Sequence, residues 1–129
     1  MKSLTLCYLL INAWTDIKCR CIDIRYTIIY FVVMSLTMIY QEVPFWWSGC
    51  IPGIFLICLS LATKKHVGIG DGIMVLVLGC VIGLEEMLCI LQSGFVMASI
   101  WGILNRRKKE YSIPFAPCLL LGYLLRIIK

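Results

Sequence analysis

Gly68-Ile69-Gly70-Asp71 opens an apolar run, Gly72–Leu84, and across Leu84-Glu85-Glu86-Met87 a second run, Met87–Leu104, follows. How this stretch divides decides the fold. If Glu85-Glu86 marks a turn, the chain crosses a bilayer once in each run. If Gly72–Leu104 were one helix, every later loop would change sides. Asp71 also has a counterpart, Asp16, at the end of an earlier apolar run. Charged side chains at membrane depth are rare and usually functional, so two such carboxylates point to a paired-aspartate site.

Composition supports a membrane setting. Of 129 residues, 61% are hydrophobic and 15% charged, and the mean hydropathy is +0.94. Soluble domains average about 45–50% apolar and about 25% charged residues. The length suits a single membrane domain over residues 1–129, without a separate soluble domain. The opening Met1-Lys2-Ser3 and Leu4–Trp14 resemble a signal peptide, but Trp14-Thr15-Asp16 stands where a small-residue cleavage site belongs. A retained first helix is expected. Most of the eight cysteines lie inside apolar runs. There, thiols act as small hydrophobes, and packing is the expected role.

Six apolar segments emerge: Leu4–Trp14, Tyr26–Tyr40, Pro44–Ala62, Gly72–Leu84, Met87–Leu104 and Pro114–Ile128. The expected fold is an all-α polytopic membrane helix bundle of about six transmembrane helices. Several segments fall short of a span of about 20 residues, so helices extend into the loops or the bilayer thins locally. Trp14, Tyr40, Trp46, Trp47 and Tyr111 sit near segment ends, as interfacial aromatics do. Lys18, Arg20, Arg25, Lys64, Lys65 and Arg106 to Lys109 place nine of the twelve basic residues in three loops. The positive-inside rule puts those loops in the cytoplasm and both termini outside.

In that topology the chain goes out and back between Asp16 and Asp71, so both lie near the cytoplasmic face. Each stands about 20 Å from the far side, counting helical rise. Like charges a few ångströms apart do not easily coexist, so such a pair shares a proton. One carboxyl then donates to a carbonyl while the other activates water, which is aspartic peptide hydrolysis. It needs no metal and no cofactor. Gly68 and Gly70 would let the backbone bend and a substrate strand approach. The same residues also fit a glycine-rich helix start with Asp71 as its cap.

The combination resembles the type IV prepilin peptidases, a branch of the GxGD intramembrane aspartyl peptidases. Three regions carry the likeness. Asp16-Ile17-Lys18-Cys19-Arg20-Cys21-Ile22 is similar to the family's first segment, and Gly68–Asp71 to its second, with Gly79 and Gly83 in the helix beyond. Ile113-Pro114-Phe115-Ala116-Pro117, then Gly122, is similar to the opening of its last helix. The resemblance implies Asp16 and Asp71 as the catalytic pair and Gly68 and Gly70 as substrate-shaping residues. It also implies prepilin or pseudopilin substrates of a type IV pilus or secretion system, and a multi-pass protein of the bacterial cytoplasmic membrane. Two positions depart from the pattern: Asp23 replaces a common proline, and Ile73 replaces a lysine. The chain resembles the short form without an N-terminal methyltransferase region, so no N-methylation is expected.

Other features carry less. Cys19-x-Cys21 alone is an incomplete zinc site. His66 reads as interfacial, and Arg106 to Lys109 as a topology anchor in contact with the lipid bilayer. Asp23 and Glu110 are better candidates for attracting a basic leader, and they read equally as solvated loop charges. No nucleic-acid partner is expected. Two other readings remain at this level: a small transporter using the aspartates as ion sites, and a catalytically inactive scaffold subunit.

Overall fold

A computed structural model describes residues 2–19, 23–63, 68–105 and 114–129. Those residues form six helices and a short 3₁₀ turn, with no strand among them. A backbone in apolar surroundings must bond to itself, and helix is how a single segment does so. α1 (Lys2–Cys19) runs past Trp14 and takes Asp16 and Lys18 into its last turns. α2 (Ile24–Tyr40) follows, with Asp23 at its N-cap position. The expected Pro44–Ala62 segment divides into the 3₁₀ turn Trp47–Gly49 and α3 (Cys50–Ala62). Pro52 falls in the first turn of α3, where its missing N–H costs nothing.

α4 (Ile69–Ile82) and α5 (Leu84–Leu104) are separate helices, so the break expected from the sequence is present. A single residue makes it. Gly83 sits at φ 97°, a backbone region open to glycine and strained for other residues. Glu85 and Glu86 therefore lie in the first turn of α5 and not in a loop. Negative charge there complements the helix N-terminus. α6 (Phe115–Ile128) closes the bundle, with Pro114 at its N-cap.

Helices meet where small residues let them. A Cβ on Gly53 would run into the backbone and side chain of Leu76, and one on Gly72 would lie 2.6 Å from Ile57 Cγ1. α3 and α4 thus approach closely along Gly53 and Gly72, with Gly49 against Gly79 further along. Met34, Met74, Met87, Leu78 and Leu119 fill the centre. At one end of the bundle the Tyr123 hydroxyl donates to Lys2 O at 3.4 Å, and Arg126 pairs with Glu86 at 3.9 Å. The start of α1, the start of α5 and the end of α6 therefore share that end.

The outer surface is apolar. Trp14, Ile39, Trp47 and Leu104 are each more than 70% exposed, and such a surface marks a membrane or partner contact. α5, with 21 residues, is long and apolar enough to cross a bilayer. α2, α4, α6 and Trp47–Ala62 are shorter apolar helices.

The structure corrects the packing role expected of the cysteines at one pair. Cys50, opening α3, and Cys80, in the last turn of α4, form a disulfide with Cα atoms 5.4 Å apart. The nearby Trp46 N–H donates to Cys80 O at 3.3 Å. Among the described free cysteines Cys118 is buried, whereas Cys7, Cys19, Cys58 and Cys89 are exposed. Replacing both Cys50 and Cys80 by alanine should lower stability by about 2–4 kcal/mol, the usual worth of a disulfide. Alkylation before and after reduction, read by mass, should show these two thiols reacting only once reduced.

Candidate active site

The buried face of α1 is polar. Thr5, Tyr8, Asn12 and Asp16 recur at helical spacing and are all buried. Tyr8 and Tyr30 stack with ring centroids 4.0 Å apart. Thr5 Oγ1 bonds the Tyr30 hydroxyl at 3.0 Å, and Tyr8 bonds Thr27 Oγ1 at 3.0 Å. These pairs fix α1 against α2. Asn12 Nδ2 donates to Tyr8 O at 2.9 Å, while its Oδ1 is buried with no partner among the described residues.

Asp16 ends this stripe. Its Oδ2 accepts the backbone N–H of Ala116 at 3.1 Å. The donor belongs to the first turn of α6, where N–H groups lack helical partners. Asp16 thus occupies an anion position at a helix N-terminus.

Asp71 lies in the first turn of α4, with Gly68 at the N-cap position. The reading of Asp71 itself as the cap is therefore corrected: its N–H donates to Gly68 O at 3.1 Å, three residues inside the helix. Asp71 is half-buried. Its carboxylate and that of Asp16 are close enough for their charges to act on each other. The two aspartates singled out in the sequence, on α1 and α4, thus lie within electrostatic reach of each other.

Of the two glycines, Gly68 has the clearer steric role. A Cβ there would lie 3.0 Å from Asp71 Oδ2. Gly70 sits half-buried in the same first turn. Gly68→Ala should crowd the carboxylate and lower by about 10-fold or more the rate of any reaction that uses it, because small misplacements at a reacting group are costly. Thermal stability should barely change, since Gly68 is exposed. Rates and melting curves measured on the same preparation check both halves.

Asp23 is exposed at the start of α2, and among the described residues no contact joins it to Asp16 or Asp71. Ile73 is half-buried in α4. Arg20, Cys21, Lys64, Lys65, His66, Arg106 to Lys109, Glu110 and Tyr111 lie outside the described residues. Sequence reasoning missed Asn12 and Ala116. The 5, 8, 12, 16 spacing of polar residues inside an apolar run would have pointed to Asn12. Nothing local marks the bond from Ala116, which joins residues 100 positions apart.

The described residues form an apolar helical bundle in which Asp16, in the last turns of α1, acts electrostatically on Asp71, in the first turn of α4. The sequence pattern of the type IV leader peptidase family matches residues 3–103, and the chain belongs to that family. Its membrane-associated, peptidase character accords with α5 and with the apolar surface. Comparison with curated proteins and with solved structures returned no match. The family match covers α1 to α5 and stops before α6, which supplies the hydrogen bond to Asp16.

Proposed function

We propose that the protein is an aspartic endopeptidase that removes the basic leader of type IV prepilin-like proteins, with Asp16 and Asp71 as its catalytic pair. The observation that supports this reading is the electrostatic influence of Asp16 on Asp71 in a chain of the leader peptidase family. The bundle would cross the bacterial cytoplasmic membrane about six times with both termini outside, so the pair faces the cytoplasm. The charge pattern of the loops supports that orientation.

Hydrolysis would follow the logic of a shared proton. One carboxylate takes a proton from water as the oxygen attacks the scissile carbonyl, and the other carboxyl gives its proton to the carbonyl oxygen. Collapse of the tetrahedral intermediate returns one proton to the pair and passes the other to the leaving amine. Gly68 and Gly70 would keep space for the substrate backbone beside Asp71. The substrate's own apolar helix would dock against the lipid-facing surface, which holds the cleavage point at the level of the aspartates.

The test is reconstitution in proteoliposomes with prepilin-like substrates carrying a basic leader that ends in glycine. A single cut after that glycine, identified by product mass, is the expected result. An intact substrate after exposure to folded protein across a broad panel would refute the reading.

A further inference from the structure

The two aspartates are not equivalent in their surroundings. Asp16 Oδ2 receives the Ala116 N–H at 3.1 Å from the first turn of a 14-residue helix. Among the described residues no hydrogen bond reaches the Asp71 carboxylate. Backbone N–H groups at a helix N-terminus favour a carboxylate over a carboxylic acid. Asp71 also lies in a first helical turn, that of α4, so the difference between the two rests on the donated N–H; a half-buried carboxyl group without a donor, beside a second carboxylate, favours the protonated form.

We propose that the opening of α6 divides the labour of the pair: Ala116, through its backbone N–H, positions Asp16 as the carboxylate that activates water, and Asp71 carries the proton delivered to the scissile carbonyl. The assignment rests on the peptidase reading above and deepens it. In the forward step a water O–H bond breaks and its proton goes to Asp16. The water oxygen bonds to the carbonyl carbon, and the Asp71 proton moves to the carbonyl oxygen. On collapse the carbon–nitrogen bond breaks, Asp16 passes its proton to the amine, and Asp71 regains one from the intermediate. Water and a peptide bond are consumed, an acid and an amine are formed, and the pair is restored.

Among the described residues, the Asp16 charge acts on Asp71 on α4 and on Cys118 on α6. The Cys118 thiol is engaged with Pro114 O at 3.5 Å. Neither supplies a donor to Asp16; the backbone N–H of Phe115, the first residue of α6, acts on it beside that of Ala116, whose bond at 3.1 Å is the one a substitution can delete without touching Phe115.

Ala116→Pro deletes that N–H at a helix position where proline is tolerated. Ala116→Val adds comparable bulk but keeps the donor. The expected result is a fall in kcat of about 100-fold for Ala116→Pro, with the acidic limb of the pH–rate profile moved to higher pH. A base that has lost its donor is deprotonated only in more alkaline solution. Ala116→Val should leave the position of that limb unchanged, whatever its rate. A folded Ala116→Pro with the wild-type limb, or an equal shift in Ala116→Val, overturns the proposal.

Infrared spectroscopy provides a second test that does not depend on the Ala116 variants folding. At neutral pH the wild type should show the C=O stretch of a protonated carboxyl, and Asp71→Asn should lose it. A band retained in Asp71→Asn puts the proton on Asp16 and overturns the assignment. Cleavage lost in both Asp→Asn variants, together with a retained band, would leave the peptidase reading standing while refuting this one. No cleavage by the wild type would overturn both.

Discussion

Asp16→Asn and Asp71→Asn should each lower kcat by about 10²- to 10⁴-fold, the range that general acid–base catalysis supplies. In the proposed mechanism both carboxylates act on the same water and carbonyl, so losing either should cost nearly as much as losing both. The double variant should therefore be far less impaired than the product of the single effects. KM should change little, because the leader and the apolar helix of the substrate bind elsewhere. Fold should survive Asp71→Asn, since no hydrogen bond among the described residues ends on that carboxylate. Asp16→Asn retains an oxygen able to accept the Ala116 N–H. Single-turnover kinetics with a fluorogenic leader peptide would measure these effects. A variant keeping more than about a tenth of wild-type kcat would remove that aspartate from the chemistry.

The largest stability effect is expected at Gly53. Its missing side chain lets α3 lie directly against the backbone of α4 at Leu76. Backbone cannot rotate aside as a side chain can, so Gly53→Val must push the two helices apart. Overpacking a well-filled core usually costs about 1–3 kcal/mol, and a backbone clash belongs at or above that upper end. A fall in Tm of roughly 10 °C is expected for a chain of this size. Because Asp71 rides on α4, the same change should also lower activity. Phe55→Val, on the exposed side of α3, removes apolar surface without touching α4 and should leave Tm nearly unchanged. Equal losses in both variants would show that close helix approach is not what Gly53 provides.

The helical class and the break near Glu85-Glu86 were legible in the sequence, as was the placement of Asp16 and Asp71 at helix ends. Each depends on local pattern: apolar runs bounded by charge, a glycine at a turn, a carboxylate at a helix end. Helix boundaries were less legible. α1 absorbs Asp16 and Lys18 because its backbone continues bonding beyond the last apolar residue, which hydropathy does not register. Pro44–Ala62 looked continuous, but its 3₁₀ turn depends on Gly49 packing against Gly79, a contact between distant segments. The disulfide had the same difficulty, since Cys50 and Cys80 lie in different apolar runs, 30 residues apart. So did the bond from Ala116 to Asp16, which only the packing of α6 against α1 creates.

The central claim is that Asp16 and Asp71 together cut a leader peptide. Its most direct test is one assay in proteoliposomes, reading product mass for the wild type, Asp16→Asn, Asp71→Asn and Asp23→Asn. A single cut after the leader glycine is expected, lost in the first two variants and kept in Asp23→Asn. Loss in Asp23→Asn with activity retained in Asp16→Asn would contradict it and move the catalytic pair to Asp23 and Asp71.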